Sequence, residues 1–366
     1  MNIVINKNLF TEAVHTVARY SERRSGTLPV LSAVLLVSGK DGIRFRATNL
    51  ETGIDLLVEG EVKEEGVVAL PAQILKDVAS SLSGSDTDTL STEKDVVVLK
   101  SGKARSTLKT LSVDDFPTIP LPEGSKTQIT LPGVTLKGLF NSVAACASPS
   151  TVRPELASVL LSSEGGVLKA VATDSFRLAE KKVTLQGTSA PFTLLVPAKN
   201  VLDIMQTIPD DEVTLEGDEH QCAFSWKGGV AISRLVGVNY PDYAQIIPKS
   251  FVAGAEVMKK DIEASLRRVA VFSDSFQKVR LGFDGKQKAI TLFSQNNDVG
   301  ESQEVVQGTV KGETIELSFN HRYLSTPFPL ISSESVSLSS GGIGRPLVIR
   351  GVGDTSFLYL VMPMNQ

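Results

Sequence analysis

Cysteine is nearly absent from this chain. Its 366 residues hold only Cys146 and Cys222, too few for a disulfide framework or a thiolate metal cluster. Histidine is as scarce: His15, His220 and His321 lie far apart, with no spacing that gathers imidazoles on a metal. No stretch approaches the ~18 apolar residues of a membrane span, and no basic-then-apolar leader opens the chain. These absences predict a soluble, cytoplasmic protein with no membrane partner, and they speak against a secreted adhesive fold. Net positive charge is missing too. The balance is -4, which excludes a uniformly basic nucleic-acid binder.

What the chain does have is repetition. Within Ile5–Ser21, Phe10, Val14, Val17 and Ala18 are spaced i, i+4, i+7 and i+8, one face of an amphipathic helix. Leu136, Phe140, Val143 and Ala144 occupy the same slots 126 residues later, and Ile262, Leu266, Val269 and Ala270 fill them after another 126. A strand-like residue precedes each at one offset: Ile5, Leu131 and Val257. Two echoes at an equal interval imply triplication. A period of roughly 125 residues far exceeds a solenoid unit, so each copy needs its own core.

Repeat one reads as a short strand at Met1–Ile5, a helix over 7–24, a buried strand over 28–39 and an alternating, half-exposed strand over 42–62. A second helix over 70–84 follows, with Pro71 in its first turn and Gly84 as its stop, then two or three strands over 89–111. The later repeats replay this order. Leu70–Pro71 returns as Val196–Pro197, Thr48–Asn49 as Thr173–Asp174, and Phe116–Pro117 as Tyr240–Pro241. The remaining helices fall at 134–147, 197–208, 258–272 and 320–331, and Pro327 and Pro329 should shorten or break the last. Each repeat thus holds two helices and about eight strands, an α+β unit whose helices share one face of its sheets. The expected domains are 1–122, 128–248 and 252–366. Short links keep them edge to edge, so three units make an arc, and like arcs close head to tail into a ring.

The net charge hides a distribution. The six helical segments together carry +6, leaving -10 for everything else. Helices that collect the positive charge of an acidic protein point to one basic surface.

Several motifs carry a resemblance over the whole length. LPVLSAVLL near the start, TNLE at 48–51, VATDSFRLA at 171–179, NYPDY at 239–243 and YLVMPM at 359–364 are similar to those of the bacterial DNA sliding clamps, the beta subunits of DNA polymerase III. The resemblance implies a ring-shaped homodimer of six similar domains, with helices lining the hole. The ring would encircle double-stranded DNA and act as a processivity factor for the polymerase. Phosphate contacts carry no sequence information and so permit sliding. The implied DNA-binding residues are Arg24, Lys76, Lys137, Lys199, Lys259, Arg267 and Arg322. A pocket for the short peptides of the polymerase catalytic subunit, the clamp loader and other partners maps to Leu156, Thr173, Ser175, Phe176, Arg177 and Leu178. Pro241, Ile246, Pro346, Leu360, Val361, Met362, Pro363 and Met364 complete it. The dimer interface maps to Lys103, Arg105, Ser106 and Leu108 on one side and Val271 and Phe272 on the other. The Asn365–Gln366 ending departs from the basic-apolar pair common in the family.

No residue pattern supports bond-making chemistry. GGIGRP at 341–346 follows a turn and runs into a strand, without the helix that a dinucleotide fingerprint requires. No Cys–His or Ser–His arrangement stands out, so no catalytic residue, cofactor or metal is expected. An enzyme with a site between domains would need convergent titratable residues, and none are found.

Overall fold

The structure, a computed structural model, describes residues 1–22, 28–82, 86–122, 127–186 and 190–364. In the first repeat, β1 (Asn2–Asn6) and α1 (Lys7–Val17) are followed by β2 (Ala33–Gly39), β3 (Gly42–Thr48), β4 (Thr52–Val58), β5 (Gly60–Glu64) and β6 (Gly66–Pro71). Then come α2 (Ala72–Ser81), β7 (Thr87–Glu93), β8 (Val96–Ser101) and β9 (Ala104–Lys109). The second repeat runs β10 (Thr127–Pro132), α3 (Gly133–Ala144), β11 (Ser158–Glu164), β12 (Val167–Thr173), β13 (Arg177–Thr184) and β14 (Phe192–Pro197). It ends with α4 (Ala198–Met205), β15 (Glu212–Gly217), β16 (Gln221–Trp226) and β17 (Gly229–Arg234). The third holds β18 (Ala253–Met258), α5 (Lys259–Ala270), β19 (Lys278–Asp284), β20 (Ala289–Asn296), β21 (Gly300–Gly312) and β22 (Ile315–Asn320). It closes with α6 (His321–Ser325), β23 (Ser335–Ser340), β24 (Leu347–Gly351) and β25 (Phe357–Val361).

The helices α1, α3 and α5 begin at Lys7, Gly133 and Lys259, the 126-residue interval of the apolar pattern. Each repeat anchors that helix start in one way. The Lys7 amide donates to the Asp86 carbonyl at 3.0 Å, Gly133 to Asp211 at 2.5 Å and Lys259 to Glu334 at 2.8 Å. The backbone ahead of the strand or bridge that follows the second helix thus satisfies a donor that helix geometry leaves orphaned. Asn6 adds a side-chain cap on α1, accepting from the Asn8 and Leu9 amides.

Several elements differ from the sequence expectation. The first helix stops at Val17 and tightens into a 3-10 turn at Ala18–Tyr20, short of residue 24. The stretch 28–39 opens with a 3-10 turn at Pro29–Ser32 before its strand begins. The alternating stretch 42–62 is split among β3, β4 and β5, because Asn49 and Thr48 fold a tight turn between β3 and β4. Asn49 Oδ1 accepts the Glu51 and Thr52 amides, and Thr48 Oγ1 accepts the Leu50 amide. The second helix ends at Ser81, with Leu82 already extended, and Gly84 lies outside the described residues. The sixth helix does break: α6 ends at Ser325, and a separate 3-10 turn spans Phe328–Leu330.

The chain divides into two compact units, Met1–Gly138 with Ser189–Gly237, and Leu139–Thr188 with Val238–Gln366. The first contains the sheet β5-β1-β7-β8-β9 and the sheet β10-β15-β16-β17-β4-β3-β2-β6. In the latter, β17 of repeat two pairs antiparallel with β4 of repeat one, Ala231 opposite Ile54. α1 buries Phe10, Ala13, Val14 and Val17 against this unit, with the Phe10 and Phe45 ring centroids 6.1 Å apart. In the second unit, strands run in the order β11-β12-β13-β25-β24-β23-β18-β21-β20-β19-β22. Here β13 of repeat two pairs with β25 of repeat three, Ala179 opposite Tyr359. α5 buries Ile262, Ser265, Leu266 and Val269 on its inner face.

Gly133 is required where it stands: a Cβ there would collide with the Pro209 carbonyl oxygen. Gly133→Ala should lower unfolding free energy by roughly 1–3 kcal/mol, read from the urea midpoint. Lys7→Ala, at the matching helix start where a side chain is already accommodated, should cost far less.

Candidate functional site

The β13–β25 ladder joins two repeats within the second unit and gathers most of the candidate peptide-binding residues around it. Leu178 faces Leu360 and Arg177 faces Val361, and the ladder continues where the Met362 amide donates to the Phe176 carbonyl at 2.8 Å. β24 extends it, with Leu347 opposite Val361, so Pro346 arrives at the same edge. The Leu156 carbonyl accepts the Ser148 amide at 2.7 Å, in the segment between α3 and β11. Leu156, Leu178, Pro346, Leu360 and Val361 are buried, whereas Met362, Pro363 and Met364 are half-buried. Pro241 and Ile246 are exposed on the segment that carries the 3-10 turn Tyr243–Ile246.

The turn before β13 sets one wall. Thr173 Oγ1 donates to the Arg177 carbonyl and accepts the Ser175 amide, while Asp174 Oδ1 accepts the Phe176 and Arg177 amides. This repeats the turn at Thr48–Thr52, including a left-handed third residue: φ is 71° at Leu50 and 76° at Ser175. The turn throws Phe176 outward, 60% exposed, where it stacks on Tyr323 at 6.4 Å. Arg177 folds back beneath it. Its Nε donates to Asp174 Oδ2 at 2.9 Å, Nη1 to Thr326 Oγ1 at 2.9 Å and Nη2 to the Ala145 carbonyl at 2.6 Å. The guanidinium also lies 4.6 Å over the Tyr323 ring. Burial opposes its charge, but the bond to Asp174 and neighbouring groups hold its pKa above the ordinary arginine value. Arg177 is therefore a keystone of the wall.

Sequence reasoning missed Tyr323, Thr326, Asp174 and Glu180 at this site. Glu180, buried on β13, accepts the Tyr243 hydroxyl at 2.7 Å and pairs with Lys182 at 2.8 Å, which ties down the turn bearing Ile246. Burial and that carboxylate push the Tyr243 phenol well above its ordinary pKa. Tyr323 and Thr326 belong to the broken sixth helix, where the sequence points to Arg322 for DNA and to Pro327 and Pro329 for the break. Tyr359 fixes this helix by donating to the Tyr323 carbonyl at 2.7 Å.

The candidate DNA residues divide by environment. In the first unit, Lys199 is exposed in the first turn of α4, Lys76 is half-buried on α2, and Lys137 is paired with Asp210 at 2.7 Å. In the second, Arg267 and Arg322 are exposed, whereas Lys259 Nζ donates to the Ile331 carbonyl at 2.5 Å. Among the described residues Lys199, Arg267 and Arg322 make no ion pair. Arg24 lies outside the described residues. At the candidate interface, Lys103 is exposed, Arg105 pairs with Glu93 at 3.4 Å and Ser106 is half-buried. Leu108 is only 4% exposed and belongs to its own sheet's core. Val271 is exposed, Phe272 is half-buried, and an unforeseen Phe276 stands exposed nearby.

Comparison with known proteins follows this architecture repeat by repeat. Residues 1–120 match the DNA polymerase III beta subunit N-terminal domain, 130–242 its central domain and 244–365 its C-terminal domain. The chain belongs to the DNA polymerase III beta subunit family. Curated relatives include the beta sliding clamp of Synechococcus elongatus, 29% identical over 100% of this chain and 99% of that protein. The beta sliding clamp of Bacillus subtilis is 25% identical over the full length of both. Among solved structures, the sliding clamp of Pseudomonas aeruginosa bound to griselimycin has a TM-score of 0.94 and 27% identity, covering 100% of both chains. The Thermotoga maritima beta subunit, at 22% identity and TM-score 0.93, shares the fold. As a sliding clamp, the chain is a non-catalytic processivity subunit. No helix among the described residues is long and apolar enough to cross a membrane.

Three outcomes follow from these observations. Arg177→Lys cannot reproduce a planar three-way fork, so unfolding free energy should fall by about 1.5–3 kcal/mol in urea titration. Burial raises both thiols, Cys146 and Cys222, from 9.0 to about 12. Native protein should leave both unlabelled by a thiol reagent at about pH 8, while denatured protein labels at both. The folded chain favours the neutral thiols, so their contribution to stability is whole below pH 9.0 and declines as pH climbs toward 12. Thermal melts across that window check the sign.

Proposed function

We propose that two copies of this chain close head to tail into a ring that encircles duplex DNA, slides without sequence preference and holds partner proteins by their peptides. Domains at 1–122, 128–248 and 252–366 form each half. The interface runs from Lys103, Arg105 and Ser106 to Val271 and Phe272, the exposed Val271 supplying apolar contact. Exposed Lys199, Arg267 and Arg322 touch phosphate directly, and Lys76, Lys137 and Lys259 contribute to the basic field around them. Topology holds the DNA, so a few weak contacts suffice and sliding survives.

The pocket takes an extended peptide with a Leu or Phe anchor from the polymerase catalytic subunit, the clamp loader or other replication and repair proteins. The observation that carries this reading is the half-buried apolar surface of Met362, Pro363 and Met364 at the end of the β13–β25 ladder, beside an exposed Phe176. Cytoplasmic location is part of the proposal, since replication happens there in bacteria.

Loading on nicked circular DNA tests it. The protein should co-elute with the circle and be lost when the circle is linearised. Lys199→Ala combined with Arg322→Ala should weaken DNA affinity and flatten the log–log salt slope by roughly 0.9 per lost phosphate contact. Sedimentation should stay at the dimer mass. Equal retention on circular and linear DNA would overturn the ring.

A further inference from the structure

The loop between β23 and β24 carries an apolar residue that its own fold does not use. The Arg345 amide donates to the Gly342 carbonyl at 3.1 Å, and Gly344 has φ +69°, which together make a turn with Ile343 at its first corner. That corner suits proline or a polar side chain, yet Ile343 stands there 77% exposed. The neighbouring surface is apolar as well. Val252 Cγ2 lies 3.5 Å from the Cβ direction of Gly342, and Pro248 Cβ lies 3.6 Å from that of Gly341. The Val252 amide is fixed on the Ser340 carbonyl at 2.9 Å, and Phe251 beside it is exposed.

This strip runs into the pocket at two places. Pro248 follows the turn that bears Ile246, and the Gly341 amide reaches the Pro346 carbonyl at 3.5 Å. Lys249 and Arg345 are exposed at its margin and make no ion pair among the described residues. Glu313 is the acid close by, its amide bonded to the Val252 carbonyl.

We propose that Ile343, Val252 and Phe251 form a flanking subsite, which takes an apolar side chain lying outside the anchor core of a bound peptide, with an acidic neighbour set toward Lys249 and Arg345. The proposal rests on the pocket reading above. Continuity with the proposed pocket selects the occupant: Pro248 follows the turn bearing Ile246 and the Gly341 amide bonds to the Pro346 carbonyl, so both ends of the strip adjoin candidate pocket residues. Burying one apolar side chain there tightens binding, and the two cations give the longer peptide a salt dependence that the core lacks.

The test uses the full-length protein and three fluorescein-labelled synthetic peptides. One is a six-residue core with Leu and Phe anchors. The others extend that core at one end or the other by Asp-Leu-Asp-Gly. Anisotropy should show one extended peptide binding about tenfold more tightly than the core, the change that ~1.4 kcal/mol makes. Ile343→Asp with Val252→Asp should erase that gain and leave core affinity within about twofold, since neither residue belongs to the core pocket. A core that binds while neither extension gains overturns the subsite alone. A core that fails to bind overturns the pocket reading and the subsite with it. Sedimentation of the double variant should match the unmodified chain, and a shift to a smaller species would make the strip a self-association surface and overturn the proposal.

Discussion

Backbone hydrogen bonding between strands of different repeats is the constraint on which the candidate site depends. β17 joins β4 in one unit and β13 joins β25 in the other, so a repeat completes its neighbour's sheet. An open edge would be an aggregation hazard, and each of these ladders closes one. The β13–β25 ladder has a second consequence. It brings Leu178 opposite Leu360 across about 180 residues of chain, so the proposed peptide pocket draws on residues of both repeats.

The side chains around this ladder divide the work. Arg177 spends its donors on Asp174, Thr326 and the Ala145 carbonyl, which locks the turn, the broken sixth helix and the end of α3 to one another. Glu180 and Tyr243 lock the opposite segment. Beside these committed polar groups, Phe176 is exposed and Met362 and Met364 are half-buried. Such a surface, fixed in outline and soft in detail, suits the proposed binding of varied peptides. The helices follow another rule. The first turns of α1, α3 and α5 are each pinned by a backbone bond to the residue ahead of the strand that follows the repeat's second helix.

Much of this was legible from periodicity. The apolar slots at Phe10, Leu136 and Ile262 located three helices, because a buried face repeats every 3.6 residues whatever the tertiary setting. Pro327 and Pro329 foretold the break after α6, a covalent effect that context cannot undo. The turns at Thr48–Thr52 and Thr173–Arg177 were not legible. Their left-handed residues are Leu50 and Ser175, which carry no glycine-like signal, and the alternation of 42–62 runs through the first without interruption. The pocket residues came from a family resemblance, since composition alone reads Leu178 and Leu360 as core. Tyr323 and Thr326 were out of reach because their role is set by where the broken helix lies against Arg177, a tertiary fact. Leu108 was assigned to an interface from its motif position, and burial places its side chain in its own sheet.

Amide hydrogen exchange across β13 and β25 of the full-length protein probes the central claim most directly. If strand pairing joins the repeats, the amides of Leu178–Lys181 and Phe357–Val361 should exchange as slowly as those of the core strands β12 and β24, through the same cooperative opening. Fast exchange in β13 and β25, alongside protected β12 and β24, would mean that the ladder opens on its own, and the pocket would then be a hinge and not a preformed groove.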